Sequence, residues 1–173
     1  WYQPISAERY RMVAAKITDP ELFAELGKNL HINTAVIEEL LESKNIRLLE
    51  NLAGNRSISS AALLALYEKQ VSATFYPLAG NPNLPAQIIE AFYIHGQNDQ
   101  NMMYQIASNP NTPEVLLREL YKRDELKINK GLASNPATPI EILDVLKIDT
   151  RLRNALTQNE VFIEHHYATK AVI

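Results

Sequence analysis

Four histidines, His31, His95, His165 and His166, are the side chains of this chain best suited to binding a metal or moving a proton near neutral pH. Their spacing argues against both. His165 and His166 are adjacent, and successive residues on a helix point about 100° apart, so the pair is expected not to chelate one ion together, and Glu164 beside them adds little. His95 falls in the stretch YIHGQNDQ, which reads as a solvated loop. The acid pairs Glu38–Glu39 and Asp124–Glu125 lie on polar faces, whereas a general acid–base pair needs convergent, desolvated carboxylates. Neither a Gly-x-Ser-x-Gly elbow, a phosphate-cradling glycine loop nor His-Glu-x-x-His occurs. With no cysteine, disulfides, thiolate metal sites, iron–sulfur clusters and cysteine nucleophiles are excluded from the segment. The expectation is a chain with no catalytic residue, no metal and no cofactor.

Binding chemistry has more support. Tyr67, Tyr93 and Tyr121 recur at one register, with Leu41 and Lys147 in the flanking copies, and Tyr76, Tyr104 and Lys130 recur at another. Tyrosine offers a large contact area at low entropic cost, but each can instead pack on its neighbours with only the hydroxyl wet. A basic cluster comprises Lys122, Arg123, Lys127, Lys130, Arg151 and Arg153, of which Lys127, Lys130, Arg151 and Arg153 are expected to share one face. Glu119, Asp124, Glu125, Asp144 and Asp149 are interleaved with it, so a salt-bridged, solvated face competes with a phosphate- or acid-binding one. The formal net charge of -3 and pI of about 5.8 argue against a nucleic-acid surface spread over the whole chain.

The residues that must position these side chains announce themselves by recurrence. NPNTPEVLLRELYKRDELKINKGLAS, from Asn109, is echoed by NPATPIEILDVLKIDTRLRNALTQ, from Asn135, and by NPNLPAQIIEAFYIHGQNDQNMMYQIAS, from Asn81. With Asn29, Asn55, Asn81, Asn109, Asn135 and Asn159 as the ruler, the steps are 26, 26, 28, 26 and 24 residues, a period that signals stacked units. Apolar columns keep the same register. Leu52, Leu78, Ile106, Leu132 and Leu156 stand three residues before an Asn, and Leu40, Leu66, Phe92, Leu120 and Leu146 stand eleven after. Each copy reads as two short helices, the first opened by Thr112 as N-cap and Pro113 at N1 in the copy from Asn109. The second, Leu126 to Ala133, is too short to be stable alone. The ruler Asn is expected to end a helix, with left-handed geometry available to it, and Gly54 and Gly80 beside it read as turn residues. Loss of the Asn135 side chain is expected to cost about 1–2 kcal/mol.

LASNPATPIEILDVL, IASNPNTPEVLLREL and LAGNPNLPAQIIEAF resemble the leucine-rich repeat variant, a bacterial repeat with the pattern Leu-Ala-x-Asn-Pro-x-Thr-Pro before a leucine-rich helix. The likeness covers Asn81 to Asn159. It weakens from Asn29 to Gly80, where Asn33 and Ser59 stand for the second proline and Leu30 and Arg56 for the first. The resemblance implies an α-helix alternating with a short 3₁₀-like helix in a right-handed superhelix without β-sheet. Some members carry a cysteine-bound iron–sulfur domain before the repeats, a cofactor that does not transfer to a chain without cysteine.

Together these readings predict an all-α fold, a right-handed α-solenoid of 24–28-residue two-helix repeats, continuous along the chain. An N-terminal helical cap spans 1–28, five repeats span 29–158, and a partial repeat or cap spans 159–173. The expected role is a non-catalytic scaffold for another protein, with Tyr67, Tyr76, Tyr93, Tyr104, Tyr121, Lys127, Lys130, Arg151 and Arg153 as candidate contacts. Phosphate-backbone binding to nucleic acid through the late basic cluster ranks second, and a helper region of a larger enzyme third. A monomer in the cytoplasm is expected, with no membrane span, and the start at Trp1 suggests a piece of a longer protein.

Overall fold

The computed structural model describes residues 6–167; the opening WYQPI and the closing ATKAVI of the C-terminal piece lie outside the described residues. Among those described, every regular element is a helix, and none is long and apolar enough to cross a membrane. The chain divides into two compact units, 1–85 and 86–173.

In the first unit, Ser6 caps α1 (Ala7–Ala14), and Asp19 with Pro20 opens α2 (Pro20–Glu25), as the residue types demand. A 3₁₀ turn, Leu26–Lys28, follows. Asn33, Asn45 and Ser59 accept from backbone N–H groups to cap α3 (Thr34–Leu41), α4 (Ile46–Gly54) and α5 (Ser60–Glu68). A second 3₁₀ turn, Ser72–Thr74, leads into α6 (Phe75–Ala79). Helices α1, α3 and α5 pack in one row and α2, α4 and α6 in another.

The second unit holds α7 (Ala86–His95), α8 (Gln100–Ser108), α9 (Glu114–Tyr121), α10 (Leu126–Ser134), α11 (Ile140–Leu146), a 3₁₀ turn at Thr150–Leu152, α12 (Arg153–Leu156) and α13 (Glu160–Tyr167). Helices α8, α10 and α12 pack side by side, with α10 also against α9 and α11, and α13 against α11. The second segments α4, α8 and α10 are α-helices of nine residues rather than the 3₁₀ helices the resemblance implies; among the described residues 3₁₀ geometry is confined to the three short turns. The core fills as the columns demand: Leu52, Leu78, Ile106, Leu132, Leu63, Leu66, Ile89, Leu117, Leu120 and Leu143 are fully buried.

The ruler asparagines do more than end helices. In the first unit, Asn55 Nδ2 donates to the carbonyls of Gly27 (2.8 Å) and Asn29 (2.9 Å), and Asn81 Nδ2 donates to those of Ala53 (2.7 Å) and Asn55 (3.0 Å). In the second, Asn135 does the same to Ala107 (2.8 Å) and Asn109 (2.7 Å), and Asn159 to Ala133 (3.0 Å) and Asn135 (2.9 Å). Meanwhile Oδ1 accepts a backbone N–H two residues on, as from Ser57, Asn83 and Ala137. The backbone of Asn55, Asn109 and Asn135 is extended, with φ of -77°, -80° and -87°, so left-handed tolerance is not why Asn is there. The left-handed steps fall instead at Gln70 (φ 53°) and Asp124 (φ 49°), each closing the turn after a first helix.

Two further expectations are corrected. The Thr112 hydroxyl is no cap: buried, it donates back to the Ile106 carbonyl (2.6 Å), as Thr138 does to Leu132 (2.7 Å), and Pro113 and Pro139 occupy the cap positions one residue later. The glycines supply no left-handed turn, since none of those described has positive φ. Gly131 serves close approach, because a Cβ there would stand 2.8 Å from Ala107 Cβ and 3.0 Å from the Tyr104 carbonyl oxygen, which locks α10 onto α8.

Asn135→Ala strips partners from two buried carbonyls, so it should destabilise the protein by roughly 2–4 kcal/mol, above the sequence-based figure. Asn29→Ala, which among the described residues loses one side-chain bond, that accepted from His31 N, should cost about 1 kcal/mol or less. Urea midpoints of the two variants check the difference.

Tyr10 gives a pH signature. Buried, with its hydroxyl donating to the Leu26 carbonyl (3.1 Å), it has a pKa pushed by burial up to about 12 from 10.0. The unfolded chain therefore loses this proton first as pH rises past 10.0, and the stability contribution, full below that pH, is gone above about 12. Chemical denaturation across that window should fall more steeply for the wild type than for Tyr10→Phe.

Candidate functional site

Of the nine candidate contacts, the structure brings four together, on the row formed by α8, α10 and α12 with the 3₁₀ turn Thr150–Leu152 that precedes α12. Tyr104 and Lys130 line two open grooves in common: one of about 570 Å³ with Gln100, Glu125, Leu126 and Lys127, the other of about 310 Å³ with Ser134, Arg151, Asn154, Ala155 and Gln158. The register places them. Tyr104 stands five residues before Asn109 and Lys130 five before Asn135, so α8 and α10, locked through Gly131, present the two side by side.

Charge on this face is only partly spent. Lys127 Nζ donates to Asn101 Oδ1 and lies 6.0 Å over the Tyr104 ring, within the outer range of a cation–π contact. The Arg151 guanidinium grips Asp149 through Nε (2.9 Å) and Nη2 (2.7 Å), holding that carboxyl below its usual range. Arg123 binds Glu125 (2.9 Å) and the Gln97 carbonyl (2.8 Å); Gln100 and then Arg123 hold Glu125 low as well. Lys122 pairs with Glu119 (2.7 Å). Lys130 is exposed and makes no hydrogen bond or ion pair among the described residues, though Asp149 feels its charge.

The remaining candidates are elsewhere. Arg153, exposed on α12, does not line either groove. Tyr121 lines a separate, largely apolar groove of about 600 Å³ between α9 and α11, with Val115, Ile142 and Val145, across which Arg118 bridges Glu114 and Glu141. Tyr93 is half-buried on α7; in the first unit Tyr67 is half-buried and Tyr76 is exposed. The two ladders thus lie on different rows of helices. Gln100, Ser134, Asn154 and Gln158 were missed as groove residues. Their signal was the one that found Tyr104, a shared distance from the ruler Asn, but amides and a serine do not stand out in such a register.

His165 and His166 converge with Asp144 of α11: one ligand atom from each of the three lies within 4.8 Å of the other two. Helical divergence sets where Cβ atoms point, whereas the imidazoles of α13 reach past it to a carboxylate on the neighbouring helix. His95 is also placed differently, as the last residue of α7 rather than in a loop.

Comparison with protein-family models, with curated proteins and with solved structures returns no match.

Because Lys130 is exposed and makes no hydrogen bond or ion pair among the described residues, Lys130→Glu should shift stability by no more than about 0.5 kcal/mol. An unchanged thermal midpoint would qualify it as a clean probe of this face.

Proposed function

We propose that the chain is a non-catalytic interaction scaffold of the α-solenoid type, a right-handed superhelix of 24–28-residue repeats related to the leucine-rich repeat variant. Its α8–α10–α12 face receives an acidic segment of another protein. The observation that carries this reading is the convergence of Tyr104, Lys127, Lys130 and Arg151 on two grooves that share residues. A partner carboxylate gains most at Lys130, whose charge is unspent, and can displace the Asp149 side chain from Arg151 at modest cost because that pair is exposed. The Tyr104 ring supplies rigid apolar contact beside these charges. In support of a binding role, the carboxylates of Glu39, Glu125, Glu141, Asp144 and Asp149 are each held below their usual range by a neighbouring cation or donor, where a general acid would need to be raised. The role fits a cytoplasmic monomer.

A second reading, phosphate-backbone binding to nucleic acid, draws on the same cations. Its weakness is charge: Glu125 and Asp149 stand on the same face.

Fluorescence anisotropy with a labelled Glu/Asp-rich peptide containing aromatic residues, and separately with a DNA duplex, separates the two. Peptide binding at low salt, weakened at least about fivefold in Lys130→Glu combined with Arg151→Ala, is expected. Duplex binding without peptide binding would select the second reading, and binding of neither at low salt would remove both.

A further inference from the structure

We propose that Asp144, His165 and His166 form a binding site for a first-row divalent transition cation of the Zn²⁺, Ni²⁺ or Co²⁺ class, which clamps α13 onto α11. Three observations meet here. The first is convergence: ligand atoms of the three residues lie within 4.8 Å of one another, close to the span of about 4.2 Å that two ligands on opposite sides of an ion at roughly 2.1 Å cover.

The second is His166 Nε2. This atom is buried and has no hydrogen-bond partner among the described residues, yet it stands 2.9 Å from Asp144 Oδ1, a contact at bonding distance but off the line an N–H would require. Two ligand atoms at that separation subtend about 90° at an ion about 2.1 Å from each, which is the angle between neighbouring ligands in octahedral or square geometry. The Phe162 ring packs edge-on to the His166 ring, with centroids 4.3 Å apart, and fixes its orientation. His165 meets the same ring at 5.0 Å and is exposed, so it can turn to complete the set. Two imidazoles and a carboxylate suit borderline divalent cations better than calcium or magnesium, and water would fill the remaining positions.

The third is how little else holds α13. Phe162 is its buried side chain, while Val161, Ile163 and Tyr167 are exposed at 40%, 36% and 62%. An ion bridging two helices would stabilise this one in proportion to its affinity. Lys147 is the competitor: its Nζ lies 2.8 Å from Asp144 Oδ1, and its charge opposes a cation there.

The test is Co²⁺ titration of tag-free protein, followed by visible absorption, with Zn²⁺ competition and the thermal midpoint as separate readouts. One equivalent should bind and Zn²⁺ should displace it and raise the midpoint. His165→Ala, at an exposed position that leaves the fold intact, should weaken binding at least about tenfold and abolish the Zn²⁺ stabilisation, and His95→Ala should change neither. Lys147→Gln should bind more tightly than the wild type. A plain Asp144–His166 ion pair would respond to none of these metal-dependent measurements. Absence of binding at about 100 µM metal, or His165→Ala binding as the wild type does, would overturn the site.

Discussion

The carboxamide of the ruler asparagine is the group on which this structure turns. Each second helix ends with carbonyls that have no helical acceptor role left to fill, and in a packed array those carbonyls are buried. A water molecule or a serine could satisfy one. Asn offers two donors at fixed geometry and an acceptor besides, so one side chain bridges two carbonyls of the preceding copy and closes its own turn. Aspartate would keep the turn and lose the donors, while glutamine would overreach. The fully buried state of Asn109 and Asn135 follows: these polar groups are as much a part of the interior as the leucines beside them.

Because that bond pattern fixes the register between copies, the space around it is filled by a narrow choice of residues. Three positions after the Asn stands Ile58 or Leu84 in the first unit and Thr112 or Thr138 in the second, and all four are buried. The apolar pair fills the slot with hydrocarbon; the threonines fill it with a methyl and return a hydroxyl proton to a helix-end carbonyl. In these four copies the slot takes a compact branched side chain. Freedom to differ belongs to the outward registers, which is why Tyr104 and Lys130 occupy equivalent places with unrelated chemistry.

What was legible in the sequence divides along the same line. The leucine columns were readable because burial repeats with the period, whereas Asn33 and Ser59, read only as stand-ins for the second proline, prove to be N-caps. Thr112 was misread: a threonine before proline looks like a cap, and nothing local reveals a carbonyl six residues back. The asparagines were read as turn formers, since only a neighbouring copy shows where the amide donors go. The tyrosines fall on two registers, and one ladder sits on first helices and the other on second helices.

The C-terminal helix departs from this scheme at its first residue. In the earlier copies a turn of several residues separates the Asn from the next helix, with prolines in it at Asn109 and Asn135, but Asn159 is followed at once by Glu160, and its Oδ1 accepts from Phe162 N at 3.1 Å, one residue further on than in the copies from Asn55, Asn81 and Asn135. Helix α13 consequently starts early, and the position that is Thr112 or Thr138 in the earlier copies is Phe162, a helical side chain that takes up the burial. With the turn gone, the rest of α13 depends on what its own face offers to α11. That face offers one buried ring, Phe162, and then two imidazoles whose ligand atoms lie near Asp144, so polar contacts carry a larger share of the attachment of this helix than the leucine columns leave to them elsewhere.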